Sequence, residues 1–165
     1  MKKYIAIVLV MALGLSLKAQ QSEHVVLISI DGFRPDFYME AKWPAPNLKW
    51  MAENGTKAEG VRGVYPSVTY PSHTTLITGA KPARHGIYYN SPFEEKGQTG
   101  AWYWYENEIK VPTLWDAVRA KGMKSAAFIW PVSVDAPIDY NIPEYWYLKE
   151  GTDRIEPMRD KDIPN

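Results

Sequence analysis

The sequence predicts an α/β chain with a mostly parallel sheet flanked by helices. Two runs carry strand character: His24–Ile30 is nearly unbroken in its apolar residues and rich in β-branched ones, and Lys124–Trp130 repeats the pattern further on. Such runs fit strands buried on both faces of a parallel sheet. Between them lie segments opened by proline and closed by glycine, the usual punctuation of helices. Strands that alternate with helices define the class.

Residues 1–19 read as a signal peptide that stands outside the fold. Lys2 and Lys3 form a basic head, Ile5 to Leu17 is an uncharged apolar run, and Lys18 to Gln21 turns polar. The run is shorter than the ~20 apolar residues of a membrane span. Cleavage after Ala19 removes Lys2, Lys3 and Lys18 and makes the charge-balanced chain mildly acidic. The mature protein is then expected to be exported, periplasmic or secreted, with no transmembrane anchor.

His24–Ile30 is the first predicted strand and ends at Asp31-Gly32. Pro44, Pro46 and Asn47 open a helix over Leu48–Asn54, closed by Gly55. Thr56–Val64 is a second candidate strand. Pro66 and Pro71 mark a loop, and Ser72–Thr78 reads as a helix ended by Gly79. Thr113 and Asp116 form a capping pair for a helix that runs to Lys121 and stops at Gly122. Lys124–Trp130 is the next buried strand. Half of Leu148–Asn165 is charged, without periodicity, so it reads as a connecting segment and the domain as truncated there.

Composition excludes several classes. Nineteen basic residues balance nineteen acidic ones, so nothing draws the chain to a nucleic-acid polymer. The absence of cysteine excludes a disulfide scaffold, a thiolate zinc site and a cysteine nucleophile. Seven Trp and eleven Tyr favour a well-filled core or a stacking site. The stretch Trp102-Tyr103-Trp104-Tyr105 fits either core cover or an exposed binding patch.

Three places carry candidate chemistry. Asp31 directly follows a predicted parallel strand, and ligands of open α/β sheets bind outside the carboxyl ends of strands. A carboxylate there can hold a divalent cation, or it can simply close a turn with Gly32. Ser67, Thr69 and Ser72 lie where a loop enters a helix whose N-terminal N–H groups suit a phosphate. A hydroxyl becomes a nucleophile only with a base or a metal beside it, and position alone does not choose among the three. Asn90 can donate its amide hydrogens to a phosphoryl oxygen, or serve as a turn residue before Ser91-Pro92. His24, His73 and His85 lack paired metal-ligand spacing and read as structural or solvated.

The motifs together resemble the nucleotide pyrophosphatase/phosphodiesterase family of the alkaline phosphatase superfamily. The resemblance rests on Val25 to Arg34, Pro66 to His73, Leu76 to Gly79, His85-Gly86-Ile87, Asn90 and the segment Trp130-Pro131-Val132-Ser133. In that last segment Val132 stands where the family has glycine. The resemblance implies an alkaline-phosphatase-like fold, of which residues 24–165 are the N-terminal portion of the catalytic domain. It implies a hydrolase for nucleotides or related small phosphodiesters and pyrophosphates, using a two-zinc site. In that reading Asp31 and Thr69 bind one zinc ion, Thr69 is the nucleophile, and Asn90 holds a phosphoryl oxygen. Tyr70 lies against the base, with Tyr145 or Trp146 as the opposite wall. The family's remaining Asp and His ligands match nothing up to Asn165, so they are expected beyond it. The alternatives are a phosphomonoesterase or phosphonate hydrolase on the same scaffold, or an inactive secreted fragment acting as a binding module.

Overall fold

The structure, a computed structural model, describes residues 24–95, 101–144, 146–148 and 155–157. The predicted signal peptide and Tyr145 lie outside the described residues, and of Trp146 only the backbone is described. The chain divides into two compact units, Met1–Pro46 and Asn47–Asn165.

In the first unit the expected strand does not form. Val25 to Ile30 forms no β-ladder among the described residues and is exposed, with Val25 85% and Val26 81% accessible. A parallel strand buried on both faces needs neighbours on both sides and layers above and below, and the described residues of this unit supply none. Asp31 and Gly32 make a turn, with Gly32 at φ 62°. Helix α1 (Asp36–Met39) follows, a single turn that sequence reading passed over. Phe37 sits edge-on to both Phe33 (5.5 Å) and Trp43 (5.3 Å), and with Pro44 and Ala45 these rings line a shallow apolar pocket.

The second unit holds the core. Helix α2 (Pro46–Asn54) begins at the predicted proline, and the Gly55 N–H closes it on the Met51 carbonyl at 2.9 Å. A Cβ on Gly55 would meet that same oxygen at 2.8 Å, which is why glycine ends the helix. The expected strand over Thr56–Val64 is absent: the segment is unpaired and mostly exposed, and Val61 is 88% accessible. Its two glycines and its charges leave no apolar face to bury.

Helix α3 (Thr69–Thr78) starts three residues earlier than the proline pattern suggests. Pro71 is tolerated because the first helical turn has no N–H bond to lose. Gly79 ends the helix at φ 64°, as a residue without Cβ does cheaply. Helix α4 (Pro82–His85) follows at once, and α3 packs against it and against α5 (Leu114–Ala120). Helix α5 has the predicted capping box, with the Thr113 N–H donating to Asp116 Oδ2 at 2.7 Å. The core is built from Tyr70, Ile77, Ile87, Ile109, Trp115, Trp130 and Val132.

Strands β1 (Ala126–Phe128) and β2 (Tyr140–Ile142) pair in parallel, with Ala127 opposite Asn141. This is the predicted parallel element, shortened to three residues. It is also not buried, with Phe128 74% accessible, because in a two-stranded sheet both strands are edges. The Asp139 carboxylate ties the strand starts together, accepting from Lys124 Nζ and from the Ser125 N–H at 2.9 Å. These two donors hold its pKa below the ordinary carboxylate range. Strands β3 (Trp146–Leu148) and β4 (Ile155–Pro157) pair antiparallel, so part of the predicted connecting segment is a β-ladder.

The crossover from β1 to β2 holds three non-glycine residues in the left-handed region: Ile129 (φ 50°), Val132 (φ 55°) and Asp135 (φ 59°). A β-branched residue there carries roughly 1–3 kcal/mol of strain. Val132 is 0% exposed, and burying its side chain contributes about 1.5–3 kcal/mol, which offsets that strain. Burial thus accommodates a valine in a backbone conformation that glycine adopts without strain. Ile129 is 43% exposed and has no such compensation. Ile129→Asn, which tolerates this conformation, is therefore expected to raise the thermal midpoint by a few degrees, about 1 kcal/mol. A lowered midpoint in a calorimetric scan contradicts the strain at this position.

Candidate active site

Three predicted site residues of the second unit, Thr69, Tyr70 and Asn90, meet at the start of α3. Thr69 is the first residue of the helix, half-buried, after the extended Val68. The Tyr70 N–H donates to Asn90 Oδ1 at 2.9 Å. Asn90 is twenty residues away in sequence, so this bond is tertiary. It also orients the amide, because an N–H must meet the oxygen end. With Oδ1 engaged, the two Nδ2 hydrogens are the donors Asn90 retains. The Asn90 carbonyl in turn accepts from the Tyr103 N–H at 3.1 Å, which holds the backbone on which the amide stands.

This arrangement corrects one expectation. The start of α3 does not offer a row of backbone N–H groups to an anion. The Tyr70 N–H is taken by Asn90, Pro71 has none, and the Ser72 N–H bonds the Val68 carbonyl at 3.2 Å. The Tyr70 and Ser72 N–H groups at this helix start are therefore already engaged within the protein.

Tyr70 is 0% exposed. Its ring stands edge-on to Trp102 at 5.3 Å and to Trp104 at 6.2 Å, and the two indoles stack on each other at 5.6 Å. A wall for a base, as the sequence suggests for Tyr70, requires those indoles to move aside. Burial, with the Glu144 carboxylate nearby, pushes the Tyr70 hydroxyl well above its ordinary pKa, so it stays protonated. Residues Trp102 to Tyr105 are half-buried, and Trp102, Tyr103 and Trp104 pack on the core, which favours cover over an exposed binding patch.

Asp31 belongs to the first unit, where it is exposed and its Oδ1 accepts from the Gly32 N–H at 3.0 Å. The turn reading of Asp31-Gly32 is thus realised. Tyr145 lies outside the described residues. For zinc, the chemistry of a carboxylate and a hydroxyl is suitable, but the number is not. Zinc takes about four ligands, and among the described residues no group of three His, Cys, Asp or Glu side chains converges. Asp31 and Thr69 by themselves do not make a zinc site.

Sequence reading treated the histidines alike, and two of them organise this region. His73 Nδ1 donates to the Thr69 carbonyl at 2.8 Å. His85 is 0% exposed. Its Nδ1 accepts from the Ile87 N–H at 3.1 Å, so in the neutral ring Nε2 donates to Thr75 Oγ1 at 3.1 Å. His85 thereby ties α4 and the chain toward Asn90 to the body of α3. Burial holds its pKa below the ordinary histidine value, partly offset by the Pro71 carbonyl. The one sequence signal for His73 is its position four residues after Thr69, which places the two on one helix face.

The sequence matches the family described as type I phosphodiesterase / nucleotide pyrophosphatase over residues 25–162, and the chain belongs to that family. It is 29% identical over 136 residues to human ectonucleotide pyrophosphatase/phosphodiesterase family member 1, covering 77% of this chain and 14% of that protein. It is 32% identical over 121 residues to a venom phosphodiesterase of Macrovipera lebetinus, covering 66% of this chain and 13% of that protein. Among solved structures, murine ectonucleotide pyrophosphatase/phosphodiesterase 5 is similar with a TM-score of 0.61 and 27% identity. That structure is of an inactive threonine-to-alanine form in complex with AMP, and the match covers 74% of this chain and 35% of that one. The human counterpart gives a TM-score of 0.59 at 28% identity. The fold is α/β and alkaline-phosphatase-like, and the chain spans about a third of these structures and a smaller share of the curated relatives.

Two outcomes are expected. A histidine with a depressed folded pKa contributes stability that is present above its unfolded value near 6.5 and is lost as pH falls toward the folded value. The thermal midpoint should therefore drop on acidification from pH 7 to 5 by more in the wild type than in His85→Gln. Equal slopes contradict a buried neutral His85. Titrated with zinc, the 165-residue chain should bind weakly, and a stoichiometric high-affinity isotherm contradicts an incomplete donor set.

Proposed function

We propose that the protein hydrolyses phosphodiester or pyrophosphate bonds of nucleotides or related small phosphodiesters, with Thr69 as nucleophile. Residues 24–165 form the N-terminal portion of the catalytic domain. The observation that carries the reading is the 2.9 Å bond between the Tyr70 N–H and Asn90 Oδ1. It gathers the candidate nucleophile and the candidate phosphoryl-oxygen donor onto one peptide, and family membership supplies the reaction class. The inactive threonine-to-alanine form of the murine relative, bound to AMP, supports both the residue type and the nucleotide.

In the proposed reaction, Thr69 Oγ1 attacks phosphorus in line. Its bond to phosphorus forms as the bond to the leaving oxygen breaks, the hydroxyl proton passes to the departing alcohol or phosphate, and a phosphothreonine-type ester results. The Nδ2 hydrogens of Asn90 donate to a non-bridging phosphoryl oxygen, where charge develops. Water then cleaves the ester, releases the monophosphate and restores the Thr69 hydroxyl. Tyr70 supports the site from the core, and Tyr145 and Trp146 are proposed to contact the nucleoside part of the substrate. Zinc is proposed as the cofactor of the complete domain, a pair of ions with Asp31 and Thr69 as the donors from this chain. Among the described residues no helix is long and apolar enough to cross a membrane. Export to the periplasm or medium is proposed from the basic head and apolar run of residues 1–19.

The test is turnover of p-nitrophenyl thymidine 5′-monophosphate by the full-length protein. Thr69→Ala should abolish it to background, and Asn90→Ala should lower kcat about 10²–10³-fold. Retained turnover in Thr69→Ala, or equal losses in both variants, contradicts these separate roles.

A further inference from the structure

The peptide unit that joins Thr69 to Tyr70 is gripped from both sides. Its N–H donates to Asn90 Oδ1 at 2.9 Å, and its carbonyl accepts from His73 Nδ1 at 2.8 Å. A carbonyl can only accept, so His73 carries its proton on Nδ1. The ring that makes this bond is itself seated. It is 8% exposed and stands edge-on to Trp130 at 5.3 Å, and Trp130 stands edge-on to Trp115 at 6.1 Å. Thr69 occupies the end of a helix, where fraying is easiest. The orientation of the peptide that follows it sets its ψ, and with it the direction in which its Cβ and hydroxyl leave the backbone.

We propose that His73 is a positioning residue for Thr69, fixing the carbonyl end of the 69–70 peptide while Asn90 fixes the N–H end. The proposal rests on Thr69 being the nucleophile. Asn90 then has two duties on opposite ends of its amide: Oδ1 holds the peptide and Nδ2 serves the substrate. His73 has one, which does not touch substrate.

Two variants separate positioning from packing. His73→Phe keeps a ring against Trp130 and removes the donor. His73→Asn loses the ring and restores an N–H donor at the same number of bonds from Cα. With p-nitrophenyl thymidine 5′-monophosphate and the full-length protein, His73→Phe should lower kcat about 10²-fold with KM little changed, the scale of a ~1 Å misplacement. His73→Asn should recover at least about a tenth of wild-type kcat even where its melting temperature is lower. The opposite order, with His73→Phe near wild type and His73→Asn impaired in step with its stability, overturns the proposal. Nitrogen-15 shifts of the His73 ring in the same protein report the tautomer without any turnover: protonation at Nδ1 is expected, and a ring protonated at Nε2 alone overturns the grip on Thr69. Thr69→Ala serves as the control. Turnover that survives it removes the nucleophile and with it the catalytic claim for His73, while the nitrogen-15 readout still judges the hydrogen bond separately.

Discussion

The hydrogen bond from the Tyr70 N–H to Asn90 Oδ1 is the constraint on which the rest of the site depends. It joins the start of one helix to a loop residue twenty positions later, and it settles which end of the Asn90 amide is engaged there. An isolated hydrogen bond adds only about 0.5–1.5 kcal/mol to stability. Its importance lies in position, since it stands next to the residue proposed to attack phosphorus. The surrounding structure exists to keep the two partners in place. His85 binds α4 to α3 through Thr75, Tyr103 holds the Asn90 backbone, and the Trp102–Trp104 pair covers the Tyr70 ring.

The same bond moves the electrostatics of the site away from the helix end. A helix that begins Thr-Tyr-Pro-Ser has few backbone donors to offer once Tyr70 is engaged and Pro71 has none. A side-chain amide replaces them, with a defined direction and no net charge. Such a donor suits a diester, which carries one negative charge and keeps an organic group on each side. Among the carboxylates of the second unit, Glu144 stands beside the Tyr70 hydroxyl. Burial raises the pKa of Glu106 and Glu108, the second partly offset by the Tyr105 N–H that it accepts, and both belong to the turn before α5.

Local chemistry was legible in the sequence, and non-local pairing was not. Pro46 and Gly55, Gly79, and the Thr113/Asp116 box each act within a few residues, so α2, the end of α3 and α5 could be placed from the chain alone. The apolar run at His24–Ile30 has the composition of a doubly buried strand, yet composition does not supply neighbouring strands, and the run joins no β-ladder among the described residues. Thr69 and Asn90 could be named together only through a family resemblance, because no spacing rule links residues twenty-one apart in different elements. The enclosure of Tyr70 by two tryptophans thirty residues on was out of reach for the same reason. Val132 shows the converse: its departure from glycine was visible in the sequence, and its left-handed backbone explains why glycine is the expected residue there.

The most direct measurement is to stop turnover of a nucleotide diester within milliseconds and map the covalent mass on the protein. Attack by the helix-start hydroxyl predicts a nucleotidyl group on the peptide carrying Thr69, formed at a rate at least equal to turnover. A kinetically competent adduct on any other side chain contradicts the central claim.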